Sequence, residues 1–139
     1  MKTAGYSGTP LGEKLGIKEG LRIFVKNAPE EYLQWIAPLP YNVVFSSRIE
    51  GDIDLAHVFV SERSELSSLL EALYDPISPD GMIWVSWQKK ASKIPTEITE
   101  DVVREIALPM GLVDVKVCAV SEIWSGLKLV IRKELREER

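Results

Sequence analysis

A chain of 139 residues with 45% hydrophobic and 27% charged residues has the size and composition of one soluble domain, and this length buries roughly two-thirds of the unfolded surface. Seventeen basic residues against 21 acidic ones leave a formal charge of −4, which argues against non-specific nucleic-acid binding while leaving room for a local basic patch. No apolar run approaches the ~20 residues that span a bilayer, and "MKTAGYSGTP" lacks the apolar centre of a signal peptide, so a cytoplasmic protein is expected.

Residues 1–17 are rich in Gly, Ser, Thr and Pro, with a short helical turn at Leu11 to Leu15. They read as an arm packed on a single domain (1–139) rather than as a core element, with Tyr6, Ser7 and Thr9 available as a lid. "LRIFVKN" (Leu21 to Asn27) is a β-branched and aromatic strand introduced by Gly20. Ala28-Pro29-Glu30-Glu31 then starts a helix, because proline suits its first turn and the acids suit the positive end of its dipole. "NVVFS" is a second strand and "LAHVFVS" (Leu55 to Ser61) a third. The third is apolar almost throughout, as strands buried on both faces are.

The clearest helix follows, with Ser61 as its cap and Leu66, Leu69, Leu70, Leu73 and Tyr74 on one face. Pro79-Asp80-Gly81 reads as a turn before the strand "MIWVSW". After a lysine-rich loop, Thr99 caps a helix whose apolar side is Val102, Val103, Ile106, Ala107 and Met110. "VDVKVCAVS" and "GLKLVIRKE" are joined so closely that they must pair antiparallel. The tail 134–139 is charged and expected to fray.

This alternation predicts helices covering a mostly parallel sheet that ends in an antiparallel hairpin. The order resembles a shortened Rossmann-like methyltransferase domain, and "SPDGMIWVSW" resembles the entry to a central strand in that superfamily. "GYSGTPLGEKLGIKEG", "LAHVFV" and the stretch from "GMIWVSWQKKASKIPT" through "WSGLKLVIRK" resemble a bacterial family catalogued only as a domain of unknown function. The resemblance implies a single three-layer α/β domain and no particular activity.

In such a fold the ligand crevice lies beyond the strand C-termini, which places Asn27, Ser61, Ser86 and Trp87 there. Dinucleotide and S-adenosylmethionine sites use a glycine-rich turn after the first strand. Here that turn is "VKNAPEEY", with no glycine, a proline that has no amide hydrogen, and two acids that repel an anion. No cofactor is therefore expected, and no metal-ligand cluster is evident. Cys118 lies in an apolar run and reads as a buried thiol, and the lone His57 reads as a core or strand-end residue.

In "WQKKASKIPT", Lys89, Lys90 and Lys93 offer an anion or partner contact. Trp87 and Trp124 offer an exposed aromatic patch, although packing explains each tryptophan as well. Glu97, Glu100 and Asp101 stand ready to pair with the lysines and make the loop a solvated connection. The sequence thus predicts a non-catalytic binding or regulatory domain with a degenerate cofactor site, acting on a protein or small-molecule ligand. The alternative is a small enzyme using the strand-end crevice, such as an S-adenosylmethionine- or nucleotide-binding transferase.

Overall fold

A computed structural model describes residues 9–137. Six strands, β1 (Arg22–Lys26), β2 (Val44–Ser46), β3 (Ile53–Phe59), β4 (Ile77–Gln88), β5 (Leu112–Ala119) and β6 (Trp124–Ile131), form one sheet ordered β2-β1-β3-β4-β6-β5. The neighbouring strands from β2 through β4 are parallel, and β6 inserts antiparallel between β4 and β5. The expected mixed α/β architecture is therefore present.

Helices cover both faces. On one face, α3 (Arg63–Tyr74) and α4 (Glu100–Ala107) bury Leu66, Leu70, Leu73, Val103 and Ala107 against Val58, Val85 and Leu129. Each buried leucine stabilises the fold by roughly 1.5–3 kcal/mol. On the other face, the short helices α1 (Leu11–Leu15) and α2 (Tyr32–Ile36) lie over Leu55, Phe59 and Trp84. Trp84 is fully buried there and its indole N–H donates to the Leu15 carbonyl at 2.8 Å. Leu11, Leu15 and Ile17 are thus core residues, not merely a packed arm. Tyr6 and Ser7, two of the three residues of the expected lid, lie outside the described residues, as do residues 138–139 of the tail.

Four local expectations change. The chain at Pro29–Glu31 makes a turn, with the Tyr32 amide on the Pro29 carbonyl, and α2 begins only at Tyr32. Ser61 does not cap α3, because the N-cap position falls on Glu62 and makes no side-chain cap bond. Pro79-Asp80-Gly81 lies within β4, where the pairing with β3 slips between Ile53–Ile77 and Leu55–Met82. Turn-forming residues here build a bulge. Gly81 is required by its packing, since an added Cβ would stand 2.8 Å from Ile77 Cγ1 and 2.9 Å from the Ser78 carbonyl. The tail turns into a one-turn helix, α5 (Lys133–Arg136), whose Leu135 packs on the α3–α4 core.

Thr99 caps α4 as its residue type predicts, accepting from the Val102 amide at 3.2 Å. The helix tightens into a 3-10 turn at Leu108–Met110, and Gly111 ends it at φ 102°, the left-handed region that glycine tolerates.

Candidate functional site

Sheet order reverses between β1 and β3, and the C-terminal ends of these strands define the crevice. Asn27, immediately after β1, has φ 61°. Asparagine is one of the few residues that adopt this left-handed conformation readily, so the tight turn forms without glycine. Its side-chain amide donates to the Phe59 carbonyl at 3.3 Å and to Glu65 Oε2 at 3.0 Å. Glu65 Oε1 accepts from the Ser61 amide at 3.2 Å. One carboxylate therefore braces the β1 turn against the end of β3. Ser61 Oγ lies 3.0 Å from Nε2 of Gln88, which ties β3 to the end of β4.

Two recesses open along this edge, one on each side of the brace. The first, about 480 Å³, lies beyond β1 and β2 and is lined by Val25, Pro29, Glu30, Tyr32, Phe45 and Ser46 among others. Its wall is apolar with one carboxylate and a few hydroxyls. The second, about 640 Å³, lies beyond β4 and includes Trp87, Lys89, Lys90, Lys93, Thr99 and Ser125 in its lining.

The lysine loop is a built turn. The Lys89 amide donates to the Ile123 carbonyl at 2.7 Å, and Ser92 Oγ donates to the Lys89 carbonyl at 2.7 Å. Lys93 closes a 3-10 turn (Lys90–Ser92) at φ 62°. The acids expected to neutralise the lysines are engaged elsewhere. Glu97 accepts from the Arg63 amide, while Glu100 and Asp101 pair with Arg104. Arg104 also holds Asp114 at 2.9 Å, which keeps that carboxyl below its ordinary range. Among the described residues no ion pair involves Lys89, Lys90 or Lys93.

The other expected site residues separate. Trp87 is buried on the α3–α4 face. Trp124 packs edge-on against Phe59, ring centroids 5.0 Å apart, on the α1–α2 face. The two tryptophans thus lie on opposite sides of the sheet and form no shared patch, so Trp124 does not join the lysines. Ser86 points into the α1–α2 core and is fully buried, away from either recess.

Ser86 belongs to an arrangement the sequence did not reveal. Its Oγ lies 2.7 Å from Nε2 of His57, and His57 Nδ1 lies 2.8 Å from the Tyr32 hydroxyl. Both His57 and Ser86 have no exposed surface. Burial pushes the His57 imidazole down to about 3 and the Tyr32 phenol above its ordinary range, so both are neutral at physiological pH. The ring of His57 stacks on Phe59 at 4.4 Å, and Tyr32 meets both rings edge-on. The one available signal was a polar residue inside each of two apolar strands, and no spacing rule links those residues to Tyr32.

Cys118 is buried, and that burial raises its thiol. No cluster of three or more His, Cys, Asp or Glu side chains suited to a metal ion occurs among the described residues. Nor is any described helix long and apolar enough to cross a membrane.

No family model and no curated protein matches this chain. Solved structures do. A protein assigned to the type 11 methyltransferases from Sulfolobus solfataricus superposes with TM-score 0.63 at 14% identity, covering 88% of this chain and 90% of its own. A SAM-dependent methyltransferase from Aquifex aeolicus gives TM-score 0.61 at 17% identity, with 86% of each chain covered. The magnesium protoporphyrin IX methyltransferase of Synechocystis PCC 6803, solved with bound SAM, gives 0.57 at 12% identity, covering 88% of this chain and 74% of its own. At these identities the likeness establishes the fold: a methyltransferase-like α/β sheet.

Proposed function

We propose that the chain is an S-adenosylmethionine-type nucleoside-binding domain, with its ligand in the recess beyond β1 and β2. This is the transferase alternative of the sequence reading, and the structural neighbours fit it better than a non-catalytic domain. The observation that carries it is Asn27 at φ 61° beside that recess. The turn after β1 has the left-handed backbone that a glycine would otherwise supply.

The chemistry of the lining supports the same ligand class. Pro29 offers no N–H and Glu30 is negative, which disfavours a pyrophosphate. S-adenosylmethionine carries a sulfonium and an ammonium beside a single carboxylate, so Glu30 attracts where it would repel a dinucleotide. Val25, Leu33 and Phe45 supply apolar surface for a base, and Ser46 and Ser47 supply hydroxyls for a ribose. When bound, S-adenosylmethionine supplies an activated methyl group. Lys89, Lys90 and Lys93 line the neighbouring recess of the same edge, which supports contact with an anionic acceptor or a protein partner there. The Asn27–Glu65–Ser61 brace favours a second reading, in which the switch point is held shut and the domain is non-catalytic.

Thermal denaturation with S-adenosylmethionine, S-adenosylhomocysteine and NAD separates these. A nucleoside ligand at 100 times its Kd adds about 2.7 kcal/mol. The two sulfur nucleosides should raise the midpoint, NAD should not, and Glu30→Lys and Phe45→Ala should each weaken the response. No response to either sulfur nucleoside overturns the proposal and leaves the non-catalytic reading. The pair Lys89→Glu and Lys90→Glu should leave folding intact while removing a negatively charged acceptor or partner.

A further inference from the structure

The sheet face carrying α1 holds a second group of lysines, none of which lines either recess. In the β5–β6 pair, Lys116 stands directly opposite Lys128, and the next pair along that face is Cys118 opposite Gly126. Residues directly opposite in an antiparallel pair share one face of the sheet, and like charges there repel. Lys128 is also opposite Trp84 on β4, the residue whose indole is bound by the Leu15 carbonyl of α1. This brings the C-terminal end of α1 to the strand beside Lys128.

Two more positive charges come from there. Lys14 acts electrostatically on Cys118, together with Lys116 and Lys89, and Lys18 acts on Lys128 together with Lys116. Lys128 is half-buried, and burial together with these charges depresses its proton affinity. Among the described residues the ion pairs are made by Arg48, Arg63, Arg104 and Arg132, and none by these four lysines. Asp114, the acid nearest in sequence on β5, is bound by Arg104.

Lys116 of β5 and Lys18 therefore stand about the half-buried Lys128 of β6, with Lys14 of α1 near the adjacent Cys118, and among the described residues none of the four makes an ion pair. Gly126, next along that face, is buried, and an added Cβ would stand 3.2 Å from Ser86 Oγ, so the lysines end at a closely packed stretch of the sheet. We propose that this face is a binding site for a phosphate group of two or more negative charges, held between Lys116 and Lys128 with Lys14 and Lys18 around it. A multiply charged oxyanion neutralises both members of the opposed pair at once, and ammonium groups bind it as point charges. A nucleic-acid strand fits less well: strand binding uses exposed aromatic faces for stacking. The aromatic ring beside Lys128, Trp84, is fully buried.

Titration of the full chain with inorganic pyrophosphate, followed by amide chemical shifts, tests this, with sodium chloride at matched ionic strength as control. Pyrophosphate should move the Lys116, Gly126 and Lys128 amides and raise the melting temperature. Lys116→Gln and Lys128→Gln should each weaken binding by about tenfold. Without the anion, Lys116→Gln should melt at or above the unmodified protein, because it relieves the opposed charges. Lys133→Gln, on α5, should change neither reading. Inorganic phosphate and a phosphate monoester, titrated in parallel, distinguish a free-anion site from one for a phosphorylated metabolite. Shifts no larger than with chloride, shifts centred elsewhere, or unchanged affinity in Lys116→Gln would overturn the proposal. Lys116 is exposed, so its variant decides the matter even if Lys128→Gln does not fold.

Discussion

The chain contains a single histidine, and that makes His57 a clean probe of the buried Tyr32–His57–Ser86 chain. Folding holds its imidazole neutral down to about pH 3, against an ordinary value of 6.5. Between these values the unfolded chain binds one proton more than the folded one, so stability must fall as pH falls. The contribution is complete above pH 6.5 and lost progressively below it. At pH 5.5 the loss relative to neutral pH is about 1.4 kcal/mol, and by pH 3 it is on the order of 5 kcal/mol. With roughly 2.1 cal/mol/K of unfolding entropy per residue, 139 residues give about 0.3 kcal/mol/K. The melting temperature should therefore drop by about 5 °C between pH 7.5 and 5.5. Urea denaturation at the two pH values measures the loss directly, and His57→Gln should flatten its pH dependence. A stability that stays level over this range, or an imidazole titrating near 6.5 in the folded protein, would refute the reasoning.

Two further substitutions test packing and capping. Gly126→Ala should cost about 1–3 kcal/mol, because its Cβ would meet Val120 Cγ2 at 3.1 Å, Ser86 Oγ at 3.2 Å and Trp84 Cε3 at 3.3 Å; a urea midpoint unchanged from the parent would show that β6 can shift freely. Thr99→Ala removes the one side-chain bond to the Val102 amide, and should cost about 1 kcal/mol in calorimetry, while trimming one wall of the recess beyond β4. Thr99→Ser should recover most of that loss, whereas equal loss in both would assign the effect to the methyl group.

Periodicity and local chemistry in the sequence determined the order of elements, the buried leucines of α3, the Thr99 cap and the antiparallel terminal hairpin. These follow from interactions within a few residues, where side-chain type fixes backbone preference and the exposed face. Gly81 marks the limit of that logic: the same residues that make turns also make bulges, and only the pairing of β4 with β3 selects between them. The missing glycine after β1 was equally legible, but its consequence was not. Asn27 takes the left-handed conformation because Phe59 and Glu65, 32 and 38 residues away, receive its side-chain amide. The lysine loop was expected to find its acids nearby in sequence, yet Arg63 and Arg104 engage them. Trp87 and Trp124 fall on opposite faces because strands alternate their side chains, and Ser86 turns inward toward His57 for the same reason. The sequence determined most helices and strands and the buried faces of α3 and α4. Tertiary structure alone decided which polar groups meet, since strand order and register bring together side chains that no local spacing connects.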